Sequence, residues 1–302
     1  MTGPTILAIE GPPGAGKTTL LGALVPALLD RSLFFPEPNI KTRPVGTASP
    51  HVTSASETLW YLRQEKRRAL ALDRTGSTAQ HTDALTDAHV VVCDRNHLGV
   101  LAYTWAARRS DSFPYAKAVA YYQRHIAPLC TEADLRTVIL QVSVGTSLER
   151  RGGSPSHPRW RQWYDRGLLQ RLAEFYTDKA PALCPQPPLI IQTDSLTPAT
   201  VLSLVADELS IRGAAPPVAP PVARTRPAVD DRFTEKYAAL GGTATLGEPI
   251  TTAFAYRGGL MQMFQLASLF RSDGHTRLWD PYQVLESHTA DLLEHRLMGA
   301  SS

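Results

Sequence analysis

Cysteine is scarce in this chain: Cys93, Cys130 and Cys184 are the only three in 302 residues, and they lie far apart. Their number and spacing exclude a disulfide scaffold and a four-cysteine zinc site, and they fit a reducing cytoplasm. Charge of one sign is also missing. Lys and Arg number 31 against 28 Asp and Glu, a formal net charge of +3. So small an excess argues against a protein that coats nucleic acid. No apolar run approaches the ~20 residues needed to cross a bilayer, so no membrane partner is expected. The opening Met1-Thr2-Gly3-Pro4-Thr5 has no basic stretch and leads straight into strand-like sequence, so no signal peptide is expected.

What is present is apolar material. Hydrophobic residues make up 43% and charged residues 20%, which suits a packed core and excludes wholesale disorder. The 24 prolines are unevenly placed. Paired prolines between Gly213 and Pro227 remove backbone donors and fix φ, so that stretch reads as a semi-rigid extended linker. The expected organisation is a first domain over 1–212, a linker over 213–230 and a small module over 231–302.

The first domain alternates apolar runs with helical patterns. Thr5–Glu10, Leu33–Pro36, Val90–Cys93, Thr137–Val142 and Leu189–Gln192 read as strands. Thr18–Asp30 and Ser56–Leu72 carry apolar residues at helical spacing. Continuous apolar strands between helices mean a parallel sheet covered on both faces. The fold class is therefore α/β, narrowed to a P-loop NTPase fold by the glycine motif between Gly11 and Thr18, with a small mostly-β module after it. In that module Asp231–Leu240 reads as a helix stopped by Gly241-Gly242. Short β-like runs come next at Phe254–Tyr256, Leu260–Phe264, Ser268–Arg271 and Thr276–Trp279. Gly258-Gly259 and Asp273-Gly274 are expected hairpin turns. Asp291–Met298 is expected to close the chain as a helix.

The sharpest signal is Gly11-Pro12-Pro13-Gly14-Ala15-Gly16-Lys17-Thr18. It fits G-x-x-x-x-G-K-[ST] at every fixed position, after a strand and at the start of a helix. Glycines let backbone N–H groups curl around phosphate oxygens, and the helix dipole favours the anion. Gly11, Gly14, Ala15, Gly16, Lys17, Thr18 and Thr19 are the expected nucleotide cradle. Lys17 should reach the β- and γ-phosphates of ATP, and the Thr18 hydroxyl should hold Mg²⁺. Asp94 ends an apolar strand, where a Walker-B carboxylate would orient the same Mg²⁺; an ordinary turn-forming Asp is the alternative. Arg95 beside it could clamp a phosphate or form a structural ion pair.

The segment Val90–Tyr103 (VVVCDRNHLGVLAY) resembles the DR(Y/H)…S…AY region of thymidylate kinases and the ERS region of deoxynucleoside kinases. Pro36-Glu37-Pro38 is similar to the EP of both groups. Leu148-Glu149-Arg150-Arg151 is similar to the LeR at the start of their lid. The resemblance spans residues 5–210. It implies a kinase fold, ATP with Mg²⁺, and Glu37 as a general base near an accepting hydroxyl. Asn96 stands where thymidylate kinases place Tyr or His, Thr104 near where they place Gln, and Pro36 and Asn39 replace the Arg and Gly that flank their EP. Phe233–Pro249 resembles the opening of LGFP-type repeats; with the glycines and aromatics between Gly258 and Trp279, that resemblance covers about 60 residues. Such modules are associated with binding, and packing against the first domain is the default expectation for this one.

Each remaining candidate has an alternative role. Glu37 is a candidate base or a loop carboxylate paired with Lys41 or Arg43. Arg150 and Arg151 are candidate lid arginines that neutralise charge on the transferring phosphoryl group; Arg159 and Arg161 are weaker ones. Arg63, Arg67 and Arg68 compete for an acceptor phosphate. Trp60, Tyr61 and Tyr103 suit either an acceptor pocket or the core, and Trp160 and Trp163 either a nucleotide cover or the core. His81, His89 and His97 show no metal-ligand spacing and read as solvated or capping residues. The expected function is an ATP- and Mg²⁺-dependent small-molecule kinase, acting on a nucleoside or nucleoside monophosphate. An antibiotic or specialised-metabolite phosphotransferase on the same fold is the first alternative, and a nucleotide-binding regulator without acceptor turnover the second. A homodimer is left open.

Overall fold

The computed structural model describes residues 5–39, 54–72, 90–107, 113–131, 135–153, 158–208 and 227–285. In chain order the first part contains β1 (Thr5–Glu10), α1 (Lys17–Leu28), β2 (Ser32–Phe35), α2 (Ser54–Leu72) and β3 (Val90–Asp94). It continues with α3 (His97–Ala107), α4 (Tyr115–His125), α5 (Ala127–Thr131), β4 (Leu135–Gln141) and α6 (Val144–Arg150). Then come α7 (Arg166–Glu174), β5 (Leu189–Gln192) and α8 (Pro198–Glu208). The five strands form one sheet in the order β2-β3-β1-β4-β5, every neighbouring pair parallel. Helices cover both faces. This is the P-loop arrangement, and the connections after β1 and β3 meet at the sheet's C-terminal edge, where the strand order reverses.

The strands form where apolar runs leave no polar face. Five of six residues of β1 and four of five of β3 are buried, so each needs a helix layer on both sides. Strand β4 begins two residues earlier than its apolar run suggests. Leu135 and Arg136 pair with Ile6 and Leu7, and the neighbouring strand extends the ladder past the polar Arg136.

The C-terminal part holds α9 (Asp231–Ala239), the single turn α10 (Thr243–Leu246) and β6 (Phe254–Tyr256), β7 (Gly259–Met263), β8 (Ser268–Ser272) and β9 (His275–Leu278). These strands form an antiparallel meander in sequence order. The second of the expected turns is found: Asp273 and Gly274 both have positive φ between the paired Ser272 and His275. The first is shifted by one residue. Tyr256 pairs with Gly259, so the turn is Arg257-Gly258, and Gly259 is a strand residue. A Cβ on Gly259 would come within 2.5 Å of the Phe270 ring, so close packing, not turn geometry, requires that glycine. The Pro-rich stretch through 226 and the expected helix over 291–298 lie outside the described residues.

This small sheet packs on the edge of the large one. Strand β2 is an edge strand, and its outward backbone groups would otherwise be unpaired. Tyr256 closes them with one hydroxyl: Phe34 N–H donates to it at 2.9 Å, and it donates to Ser32 C=O at 3.0 Å. Trp279 Nε1–H donates to Phe34 C=O at 2.8 Å, and Arg257 Nε–H donates to Ser32 C=O at 3.0 Å. Tyr256, Met261, Met263, Phe270 and Trp279 belong to the same buried cluster as the large sheet. Phe233, Leu246, Phe264 and Leu269 form a second, smaller core within the module.

His97 opens α3 and is 2% exposed, so the expectation of a solvated or capping histidine is corrected. Its ring stacks on Tyr122 at 4.1 Å, and Nε2 lies 3.2 Å from the Leu183 carbonyl, which makes Nε2 the protonated nitrogen of a neutral ring. Burial pushes its pKa down to about 4. An unfolded histidine takes its proton near pH ~6.5. The unfolded state therefore gains a proton before the native state does, and stability falls as pH drops from about 6.5 to about 4. The expected loss from this one group is up to about 3 kcal/mol. Denaturant titrations at pH 7 and pH 4.5 measure it, and His97→Gln should show a shallower loss. Equal losses in both proteins place the pH sensitivity elsewhere.

Candidate active site

The loop between β1 and α1 is held from behind by side chains. Lys17 Nζ donates to Gly11 C=O at 2.7 Å and to Pro12 C=O at 2.8 Å. Ser147 Oγ donates to Pro13 C=O, Arg150 Nη1 to Gly14 C=O and Thr193 Oγ1 to Ala15 C=O. Five successive carbonyls are thus fixed, and the first N–H groups of α1 have no partner within the helix. Gly11 has φ 136°, and a Cβ there would sit 2.0 Å from Leu140 C=O. Gly16, φ 99°, enters the helix without a side-chain cap. Thr18 and Thr19 stand exposed in the first turn. This is an anion-binding cradle in form.

Around the cradle lie Lys17, Glu37, Asp94 and Arg95, brought together by the ends of β1, β2 and β3. Arg95 Nε is 2.9 Å from Glu37 Oε1, and Arg95 Nη1 donates to Gly11 C=O at 3.3 Å. Arg95 has φ 63°, a strained conformation for a residue with a Cβ, worth about 1 kcal/mol or more. It is fixed at both ends: its N–H donates to Ile9 C=O, and its C=O accepts from Arg68 Nη1 at 2.6 Å. Burial, then the Arg95 charge, lowers the Lys17 pKa to about 7. Burial, then the Glu37 charge, raises that of Asp94 to about 7. Lys41 and Arg43, the alternative partners of Glu37, lie outside the described residues.

Thr18, Asp94 and Glu37 line one cleft. Among the described residues no group of three or more His, Cys, Asp and Glu could hold a metal by itself. One hydroxyl and one carboxylate nevertheless suit Mg²⁺, which keeps waters and takes phosphate oxygens as its other ligands.

The other candidate arginines are committed elsewhere. Besides Gly14, Arg150 donates to Thr193 Oγ1 and to the carbonyls of Thr193 and Asp194, bracing the loop. Arg151 donates to Ser147 C=O and Trp163 C=O and lies over the Tyr164 ring at 4.4 Å. Arg68 is buried against Glu65 at 3.2 Å and also reaches Pro36 C=O. Arg67 lies over the Tyr282 ring at 3.8 Å. Arg63 and Arg161 are exposed. Trp60 and Tyr61 pack edge to face at 4.9 Å, and Tyr103 packs on Trp163 at 5.2 Å. The side chains of Arg159 and Trp160, with His81 and His89, lie outside the described residues.

Sequence reasoning missed the group at the centre. Glu10, fully buried, accepts from Asn96 N–H at 2.7 Å and Gly99 N–H at 3.0 Å on one oxygen. The other accepts from Tyr176 O–H at 2.8 Å and Gly11 N–H at 3.3 Å, and lies 3.7 Å from Arg95 Nη1. The signal was a carboxylate ending an otherwise apolar buried strand. Tyr176 sits on a π-helical turn over Phe175–Lys179, an irregularity that aims its hydroxyl inward.

No protein-family model and no curated protein matches the chain, and the LGFP-type resemblance finds no support there. Among solved structures, the chain is similar to thymidylate kinase from Candida albicans: 14% identity, TM-score 0.49, covering 70% of this chain and 93% of that one. It is also similar to deoxyadenosine kinase from M. mycoides with bound dATP, at 17% identity and TM-score 0.45 over 68% of this chain and all 100% of that one. The same kinase with bound dCTP gives 19% identity and TM-score 0.41 over 68% and 100%. With each of these TM-scores below 0.5, the likenesses decide neither the activity nor the substrate of this chain. No helix among the described residues is long and apolar enough to cross a membrane.

Burial lowers the Lys17 pKa, so the free protein holds that proton less tightly than it would beside phosphate charge. Binding of metal-free ATP at pH 8 should therefore take up a proton. Calorimetry in buffers of different ionisation enthalpy reads the uptake, which Lys17→Arg, charged throughout, should lose. Unchanged uptake in the variant would assign the proton to another group.

Proposed function

We propose that this protein is an ATP- and Mg²⁺-dependent small-molecule kinase whose acceptor is a hydroxyl group, with nucleosides as the first candidates. The observation that carries this reading is the Arg95–Glu37 pair, 2.9 Å apart, at the mouth of a phosphate cradle. The cradle and Lys17 hold the triphosphate. Thr18 and Asp94 would hold Mg²⁺, which would supply neutralising charge to the phosphates. Arg95 stabilises the charge on the transferring group, and Glu37 accepts the proton as the acceptor oxygen bonds to the γ-phosphorus and the bond to ADP breaks.

A hydroxyl is favoured over a phosphate acceptor because of where the α2 arginines point. Arg68 is tied to Glu65 and to two carbonyls, and Arg67 to Tyr282. Only Arg63 among the three is left exposed without such a contact, while a carboxylate stands at the cradle's mouth. A carboxylate there can serve a hydroxyl acceptor as its base.

Acceptor-dependent ADP release tests the reading, with nucleosides, nucleoside monophosphates and antibiotic-like alcohols as the panel and Lys17→Ala as the blank. One class of alcohol should raise turnover well above the blank, and Glu37→Gln should lower it by about 100-fold or more. If a monophosphate is the acceptor instead, Glu37→Gln should matter little and Arg63→Ala a great deal. ATP binding without any acceptor effect would make the protein a nucleotide-binding regulator.

A further inference from the structure

We infer that the C-terminal module is a working part of the transfer site, and that Asn39 is the positioning residue through which it holds Glu37. The proposal rests on the kinase reading above. Asn39 lies two residues beyond Glu37. Its Nδ2 donates to Thr245 C=O at 3.2 Å and to Leu266 C=O at 3.1 Å, both on the module. These acceptors are themselves rigid. Leu266 N–H donates to Leu246 C=O at 2.9 Å, Phe264 N–H to Ala267 C=O at 2.8 Å, and Gln265 N–H to Glu248 C=O at 3.0 Å. Gly247, φ 77°, lets the turn lie close: a Cβ there would be 2.6 Å from that of Gln265.

The strand before Glu37 keeps its ladder to β3 with or without the module, whereas the segment after Glu37 is held to the module by Asn39. Before it, Tyr256 and Trp279 saturate the outer edge of β2 at Ser32 and Phe34. After it, Asn39 grips the 264–267 turn. Glu37 itself is 44% exposed, so its own burial does not place it. The cleft shared by Thr18, Glu37 and Asp94 is lined also by Ile250, Met263 and Leu266 of the module. A base on a short exposed segment needs such support, because a misplacement of ~1 Å costs about 100-fold in rate.

The test uses the full-length protein in two variants. Asn39→Ala removes both donors to the module. Tyr256→Phe removes a buried hydroxyl from the same seam on the strand before the loop, and serves as the stability control. Asn39→Ala should lower kcat about 10- to 100-fold with KM for ATP within about twofold, since the cradle is untouched. Tyr256→Phe should lower Tm at least as much as Asn39→Ala but leave kcat, measured well below Tm, within about threefold. A crystal structure of Asn39→Ala should show Glu37 drawn away from Arg95. Retained kcat in Asn39→Ala overturns the proposal, as does an undisturbed Arg95–Glu37 contact. So does an equal fall of kcat in Tyr256→Phe, which would mean general loosening. Failure of the kinase reading is distinct: wild-type protein would then transfer phosphate to no acceptor at all.

Discussion

A buried carboxylate organises this molecule. Glu10 sits where β1 hands over to the phosphate loop, and no water reaches it. A charge in such a place is tolerable only when it is surrounded by donors. Here the donors are the first residue of the loop, the start of α3, a tyrosine from the π-helical turn and, further off, Arg95. They come from three places, the phosphate loop, the passage from β3 into α3 and the π-helical turn, so satisfying one charge aligns three segments. The strained backbone of Arg95 persists because its neighbours leave it no alternative. Its N–H and C=O are both taken, and Gly99 leaves room for its side chain, since a Cβ there would press within 3.2 Å of Arg95 Cδ.

The arginines show the same pattern. Arg68, Arg150 and Arg151 look interchangeable with Arg95 as phosphate ligands by composition, yet each is occupied by backbone carbonyls that shape the site. A guanidinium with five donors suits that work, because it can fix several carbonyls of an irregular loop at once. Among the described residues, these three are therefore held by the protein's own backbone.

The large sheet was legible in the residues because its strands are continuous apolar runs and its loop carries a spaced glycine signature. Lys17, Asp94, Arg95 and Glu37 could be nominated because each ends a recognisable strand or opens the helix after it. Glu10 was hidden among the strand residues, where one polar position in an apolar run looks like noise. Asn39 was seen only as a departure from a family pattern. Its partners, Thr245 and Leu266, lie more than 200 residues further along the chain, and no local pattern announces a contact of that range. The arginine roles failed to separate for a related reason. Side chains that contact carbonyls leave no mark in sequence, since every residue has a carbonyl to offer.

The seam between β2 and the C-terminal sheet also sets a schedule for the molecule's birth. Phe34 and Tyr256 are 222 positions apart. At roughly 5–20 residues per second, a ribosome that has finished β2 needs on the order of 10–40 s to deliver its cover. During that interval the apolar edge strand has no lid and is open to pairing with other nascent chains. The cradle and Lys17 need only the earlier part of the chain, so a growing chain can grip a nucleotide before its base is seated. On the proposed reading, the transfer site is then the last part of the molecule to be completed.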